Sequence, residues 1–161
     1  MLVNLLGGLK SVLSKAEVYA HEKGIDESIL LNDAIASDMF PLKKQVQITC
    51  DHAKGIVSRL TGLDNPKMDD TEQSFKDLIS RIDKTLAFIQ GVKEADFMGA
   101  EDRHVTIIYF PGKYFTGLDY LREYGIPNFM FHITTAYNIV RKNGVQIGKA
   151  DFVSSLTLKD L

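Results

Sequence analysis

The residues of this sequence best suited to chemistry are its histidines, because imidazole binds metal ions and exchanges protons near neutral pH. There are four of them, His21, His52, His104 and His132, and no two are separated by four residues. His132 lies roughly 40° from the centre of an apolar helix face, so its ring is expected to point inward. Two interpretations stay open: a buried neutral histidine bonded to a hydroxyl or carbonyl group, or a metal ligand.

His52 is the histidine of another predicted helix that can approach His132. It lies roughly 100° from the centre of its helix's inner face, and a half-exposed flank position is the simpler interpretation. If that helix is rotated so that His52 faces the open end of the bundle, the two rings converge. A third metal ligand then has to come from Gln45, a carboxylate or the tail. Catalytic zinc usually has three protein ligands. We therefore predict no cofactor and no firm metal site, with zinc or nickel on His132 and His52 as the alternative.

Gln45, Tyr137 and Cys50 complete the candidate polar cluster inside the predicted bundle. Cys50 is the only cysteine, which excludes an intramolecular disulfide and favours a reducing cytoplasm. Its place on an inner helix face predicts a small buried group and not a nucleophile. Tyr137 lies roughly 100° from the centre of its apolar stripe, so its hydroxyl reaches either a cleft or solvent.

Composition narrows the class of protein. The 161 residues are enough for one domain with a sizeable core, so we predict a single domain over 1–161. A formal net charge of −2, with scattered lysines and arginines, argues against nucleic-acid binding. No stretch is long and apolar enough to predict a membrane span.

The elements that position these residues are predicted from helical periodicity. Apolar stripes indicate long helices over 2–23, from about Pro41 to Gly62, from an Asp70 cap to Gly91, and over 128–143. A short helical turn is expected at 27–31, and a further helix from 118 that Pro127 breaks or kinks. A β-branched and aromatic run followed by Pro-Gly predicts a short β-hairpin at about 104–116. Four amphipathic helices imply a mainly α protein, an up-down four-helix bundle.

The chain resembles a known family. The segments that carry the resemblance are Asp38–Leu42, Gln45–Ile48, Gly99–Arg103, Phe115–Gly117, Pro127–Tyr137 and Asn143–Lys149. They are similar to the bacterial domain of unknown function numbered nineteen ninety-three, which is grouped with the DinB/YfiT-like proteins. The resemblance implies a four-helix bundle, often dimeric, and many members of the wider group hold a divalent metal through three histidines. It places His132 at the first of two histidines of the last helix, and Ala136 at the second.

Three functions stay open. The one we favour is a small-molecule-binding or interaction protein, not an enzyme, whose metal site is degenerate or absent. The second is a metal-dependent hydrolase or thiol transferase that uses His132 and His52. The third is a purely structural homodimer.

Overall fold

The computed structural model describes residues 1–159 and is mainly helical. In chain order the helices are α1 (Leu2–Lys23), α2 (Glu27–Leu31), α3 (Leu42–Thr61), α4 (Phe75–Gly91), α5 (Gly117–Asp119), α6 (Ile126–Lys142) and α7 (Lys149–Val153). A 3-10 turn lies at Glu94–Phe97 and a π-helical turn at Tyr120–Gly125. The last two residues of the predicted domain 1–161 lie outside the described residues.

The core lies between the four long helices. Around the ring α1 packs on α4, α4 on α3, α3 on α6, and α6 on α1. Each helix contributes the apolar stripe seen in the sequence, with Leu13, Val46, Leu78 and Phe129 among its buried members. Two helices end where the sequence predicts, each at a glycine with left-handed backbone, Gly24 after α1 and Gly62 after α3. None of the described helices is long and apolar enough to cross a membrane.

The predicted start of α4 is wrong. Ser74, not Asp70, caps this helix: the Ser74 hydroxyl accepts from the Asp77 N–H, and the Asp77 carboxylate accepts from the Ser74 N–H. This reciprocal pair satisfies two free backbone donors of the first turn. Asp70 instead binds Lys44 at 2.6 Å and Arg81 at 3.0 Å.

The predicted β-hairpin at 104–116 is also wrong. A single antiparallel bridge joins Val105 and Phe115, and residues 1–159 contain no strand. Between those two residues the chain makes turns, with Phe110 N–H bonded to the Ile107 carbonyl. An isolated two-stranded ribbon is marginal without a sheet to join, and here the loop packs on helices instead.

The chain enters α6 through the π-helical turn. The Ile126 N–H donates to the Leu121 carbonyl, five residues back. The next residue, Pro127, has no N–H. No backbone donor is therefore left unpaired where the hydrogen bonds change from the five-residue spacing of the turn to the four-residue spacing of α6. The wider turn is a common device at functional sites, and here it carries Tyr124.

Candidate functional site

A cleft of about 870 Å³ opens between α3, the connection that follows α3, loop 104–116 and the entrance to α6. This volume is in the range of small-molecule sites. His52 of α3 and His132 of α6 both line it, together with Tyr124 and Asn128. The histidine rings are nearly parallel, with centroids 5.5 Å apart and an angle of 15° between their planes.

The orientation of the His132 ring is set by Gln45. Its Nδ1 lies 2.8 Å from Gln45 Oε1, while Gln45 Nε2 donates to the Phe40 carbonyl at 3.0 Å. A carbonyl only accepts, so the amide nitrogen belongs on that side and the amide oxygen faces the ring. His132 Nδ1 must then carry the proton, and its Nε2 presents a lone pair. Gln45 is 1% exposed, so a buried amide holds the partly buried His132 ring in place.

His52 has a different environment. Among residues 1–159 no group hydrogen-bonds its ring nitrogens, so its tautomer is free to follow a ligand. Burial, followed by repulsion from His132 and Arg59, lowers the pKa of His52 to about 4. Burial also lowers the pKa of His132. Both imidazoles are therefore neutral at physiological pH.

The cleft is nonetheless rich in positive charge. Four cationic side chains and two carboxylates line it, in a chain whose formal net charge is −2. Lys54 and Lys44 are paired with Asp51 and Asp70, respectively. Arg59 bonds only the Tyr120 hydroxyl, at 3.3 Å, and has no carboxylate partner among the described residues. Lys67 likewise has no ion-pair partner among the described residues, and of these two cations Arg59 is the one whose charge reaches His52.

Two of the predicted site residues lie elsewhere. Cys50 is fully buried, and burial raises the pKa of its thiol to about 12, so it packs as a small apolar group. Tyr137 packs edge-to-face on Phe152 at 5.6 Å and does not line the cleft. Gln45 makes a hydrogen bond to His132 in place of the third-ligand role proposed for it.

Arg59, Tyr124 and Asn128 are among the cleft residues that were not predicted as site residues. For two of them the spacing was a usable signal: Arg59 follows His52 by seven residues and Asn128 precedes His132 by four, which places each pair on one helix face. Tyr124 lies in the π-helical turn before α6, where this spacing does not apply. The Asn128 side chain also donates to the Tyr124 carbonyl at 2.6 Å.

Comparison with known proteins places the chain in a family. The model of the family described as "Domain of unknown function (DUF1993)" matches residues 1–153. The chain belongs to the DUF1993 family. A crystal structure of a DinB family member protein from Shewanella denitrificans is 42% identical, covering 99% of this chain and 91% of that one, with a TM-score of 0.94. The predicted family and DinB-like placement are confirmed. No curated protein matches the chain.

The residues of this DUF1993 protein do not fit the three-histidine metal centre that the DinB-like fold implies. No group of three or more His, Cys, Asp or Glu within residues 1–159 is arranged to hold a metal. Ala136, at the second histidine position, is fully buried in the core. Asp51 is engaged by Arg81 and Lys54, both at 3.0 Å. The positive charge of Arg59 that lowers the pKa of His52 also opposes a divalent cation.

Proposed function

We propose that the cleft binds small organic anions and that the protein acts as a small-molecule-binding protein. The observation that carries this proposal is the Arg59 guanidinium, which has no carboxylate partner among the described residues and shares a cation-rich cleft with two neutral imidazoles. Guanidinium is the side chain that best matches carboxylate and phosphate groups. A protein cleft with excess positive charge also concentrates anions near it.

The neutral state of the histidines suits this role. A neutral His52 donates one N–H to an anion without the cost of burying a second charge beside Arg59. The cleft also has apolar and aromatic walls, including Phe40, Ile48, Ile107 and Tyr109, that can cover the body of an organic acid. The ligand class is thus a small acid with a planar or apolar body.

Benzoate binding tests the proposal, because benzoate carries one carboxylate on a planar apolar ring. We expect saturable binding by calorimetry, with the amide resonances of cleft residues shifting in NMR spectra. Arg59→Met should weaken binding about tenfold, since a charge-assisted hydrogen bond is lost. Lys76→Met, on the exposed surface of α4, removes the same charge away from the cleft and should leave the affinity unchanged.

Equal loss of affinity in Arg59→Met and Lys76→Met would mean that only net charge matters and would contradict the proposal. So would stoichiometric zinc or nickel in protein purified without a histidine tag, if His132→Ala removed it. That second result would favour the metal-dependent hydrolase or thiol transferase.

A homodimer remains a second proposal, supported by the exposed apolar side chains of loop 104–116. Ile108 and Tyr109 are 89% and 76% exposed, and side chains of this size are often covered by a partner. Sedimentation of the wild type and of Ile108→Lys tests it. A dimer that the substitution dissociates supports a contact there, and a monomeric wild type contradicts it.

A further inference from the structure

We propose that His132 accepts a hydrogen bond from the bound ligand, so that the cleft selects acids that also carry a hydroxyl or N–H donor. This inference rests on the proposed function and assigns a ligand class to the same cleft. Its basis is the chain of bonds from the Phe40 carbonyl through Gln45 to His132 Nδ1, at 3.0 and 2.8 Å.

The chain of bonds has one consistent direction. If the Gln45 amide were reversed, its oxygen would face the Phe40 carbonyl at 3.0 Å, which places two acceptors in contact. Its nitrogen would then compete with the ring proton of His132. Gln45 is 1% exposed, so water is not at hand to compensate for such a reversal. The amide is therefore locked, and His132 is held with its proton on Nδ1.

His132 Nε2 is then an acceptor without a partner among the described residues, on a side chain that lines the cleft. A neutral imidazole nitrogen of this kind bonds well only to a donor. If a ligand offers only acceptors, His132 Nε2 stays unpaired or must bond to a water molecule.

His52 and Arg59 complete the selection. Arg59 only donates, and His52 is free to donate because no neighbour fixes its tautomer. His52 and Arg59 thus supply donors for an anion, and His132 supplies an acceptor. A hydroxylated aromatic acid has a carboxylate that accepts from Arg59 and His52, and a hydroxyl group that donates to His132. Gln45 acts in this scheme as a positioning residue for the His132 ring.

The test compares benzoate with 3-hydroxybenzoate and 4-hydroxybenzoate, by calorimetry on the full chain. We expect at least one hydroxybenzoate to bind on the order of fivefold more tightly than benzoate, the value of one net hydrogen bond. Gln45→Met removes the acceptor that fixes the ring and should abolish this preference while benzoate still binds. Gln47→Met is the matched control, because Gln47 is 4% exposed on the same helix but bonds Glu72 outside the cleft.

The ring nitrogens give a readout that does not depend on the variants. In the wild type, ¹⁵N NMR at neutral pH should show His132 Nδ1 protonated and Nε2 as the bare nitrogen, and Gln45→Met should mix the two tautomers. The opposite tautomer in the wild type would overturn the inference. Equal affinity of wild type for all three acids would overturn it too and leave the proposed function standing. Failure of all three acids to bind would overturn the proposed function, and this inference with it.

Discussion

His52 shows how a single side chain is tuned by its surroundings. It stacks on His132 and contacts Tyr124 at a ring distance of 6.2 Å, and burial is the largest cause of its low pKa. Protonation would place a positive charge beside Arg59 in a partly buried cleft. The fold therefore favours the neutral ring, and stability depends on pH.

We expect the protein to lose stability as the pH falls from about 6.5 toward 4. The pKa of His52 is lowered to about 4 in the folded chain, so the unfolded chain takes up this proton first. Stability is full above the unfolded pKa and falls through this window. Between pH 7 and pH 5 the wild type should lose about 1 kcal/mol more than His52→Phe, after allowance for solvent screening.

Urea unfolding at the two pH values measures this difference. His21→Phe replaces an exposed histidine and should follow the wild type. If His52→Phe lost as much stability on acidification as the wild type, His52 would not be the group responsible.

At the scale of elements, the contact of α1 with α7 depends on one glycine. A Cβ on Gly8 would lie 2.6 Å from the Phe152 carbonyl oxygen and 2.8 Å from that of Asp151. Both are backbone atoms, so no side-chain rotation relieves the overlap. Gly7, in the same helix, has nothing within 4 Å of its Cβ position. The two neighbouring glycines therefore have different roles.

Alanine substitutions separate those roles. Gly7→Ala should stabilise the protein by roughly 0.5–1 kcal/mol, because alanine favours the helix. Gly8→Ala should destabilise it by about 1–3 kcal/mol, because α7 must move away from α1. Chemical unfolding gives both values, and the same sign for the two substitutions would contradict the close packing.

At the scale of the whole molecule, Arg81 links several parts of the chain. It is 2% exposed and binds Asp51 of α3 at 3.0 Å, and Asp70 and Glu72 of the connection before α4 at 3.0 and 2.9 Å. The same connection forms part of the cleft wall. The buried cation thus couples the stability of the bundle to the shape of the site.

We expect Arg81→Met to destabilise the fold by about 2–4 kcal/mol, because its carboxylate partners lose their common cation. Lys10→Met breaks a surface ion pair with Asp83 and should cost less than about 1 kcal/mol. Thermal unfolding of both variants tests this order, and similar losses would show that Arg81 is not a structural link.

The sequence was informative wherever local chemistry decides the structure. The bounds of α1 and α3 follow from apolar stripes and terminal glycines. The predicted start of α4 was wrong because the Ser74–Asp77 pair, and not Asp70, caps the first turn. The predicted hairpin was wrong because strand pairing needs partners outside the segment. The approach of His52 to His132 depends on how α3 is rotated against α6, which periodicity does not determine.

The central claim is that the histidine cleft binds organic anions and not a metal, and histidine ring NMR tests it most directly. Metal-free protein would be titrated first with benzoate and, in a parallel sample, with zinc, while the ring resonances of His52 and His132 are followed. We predict saturable shifts with benzoate that Arg59→Met weakens, and no stoichiometric response to zinc. Stoichiometric zinc shifts of both rings would contradict this prediction, and so would the absence of any response to benzoate.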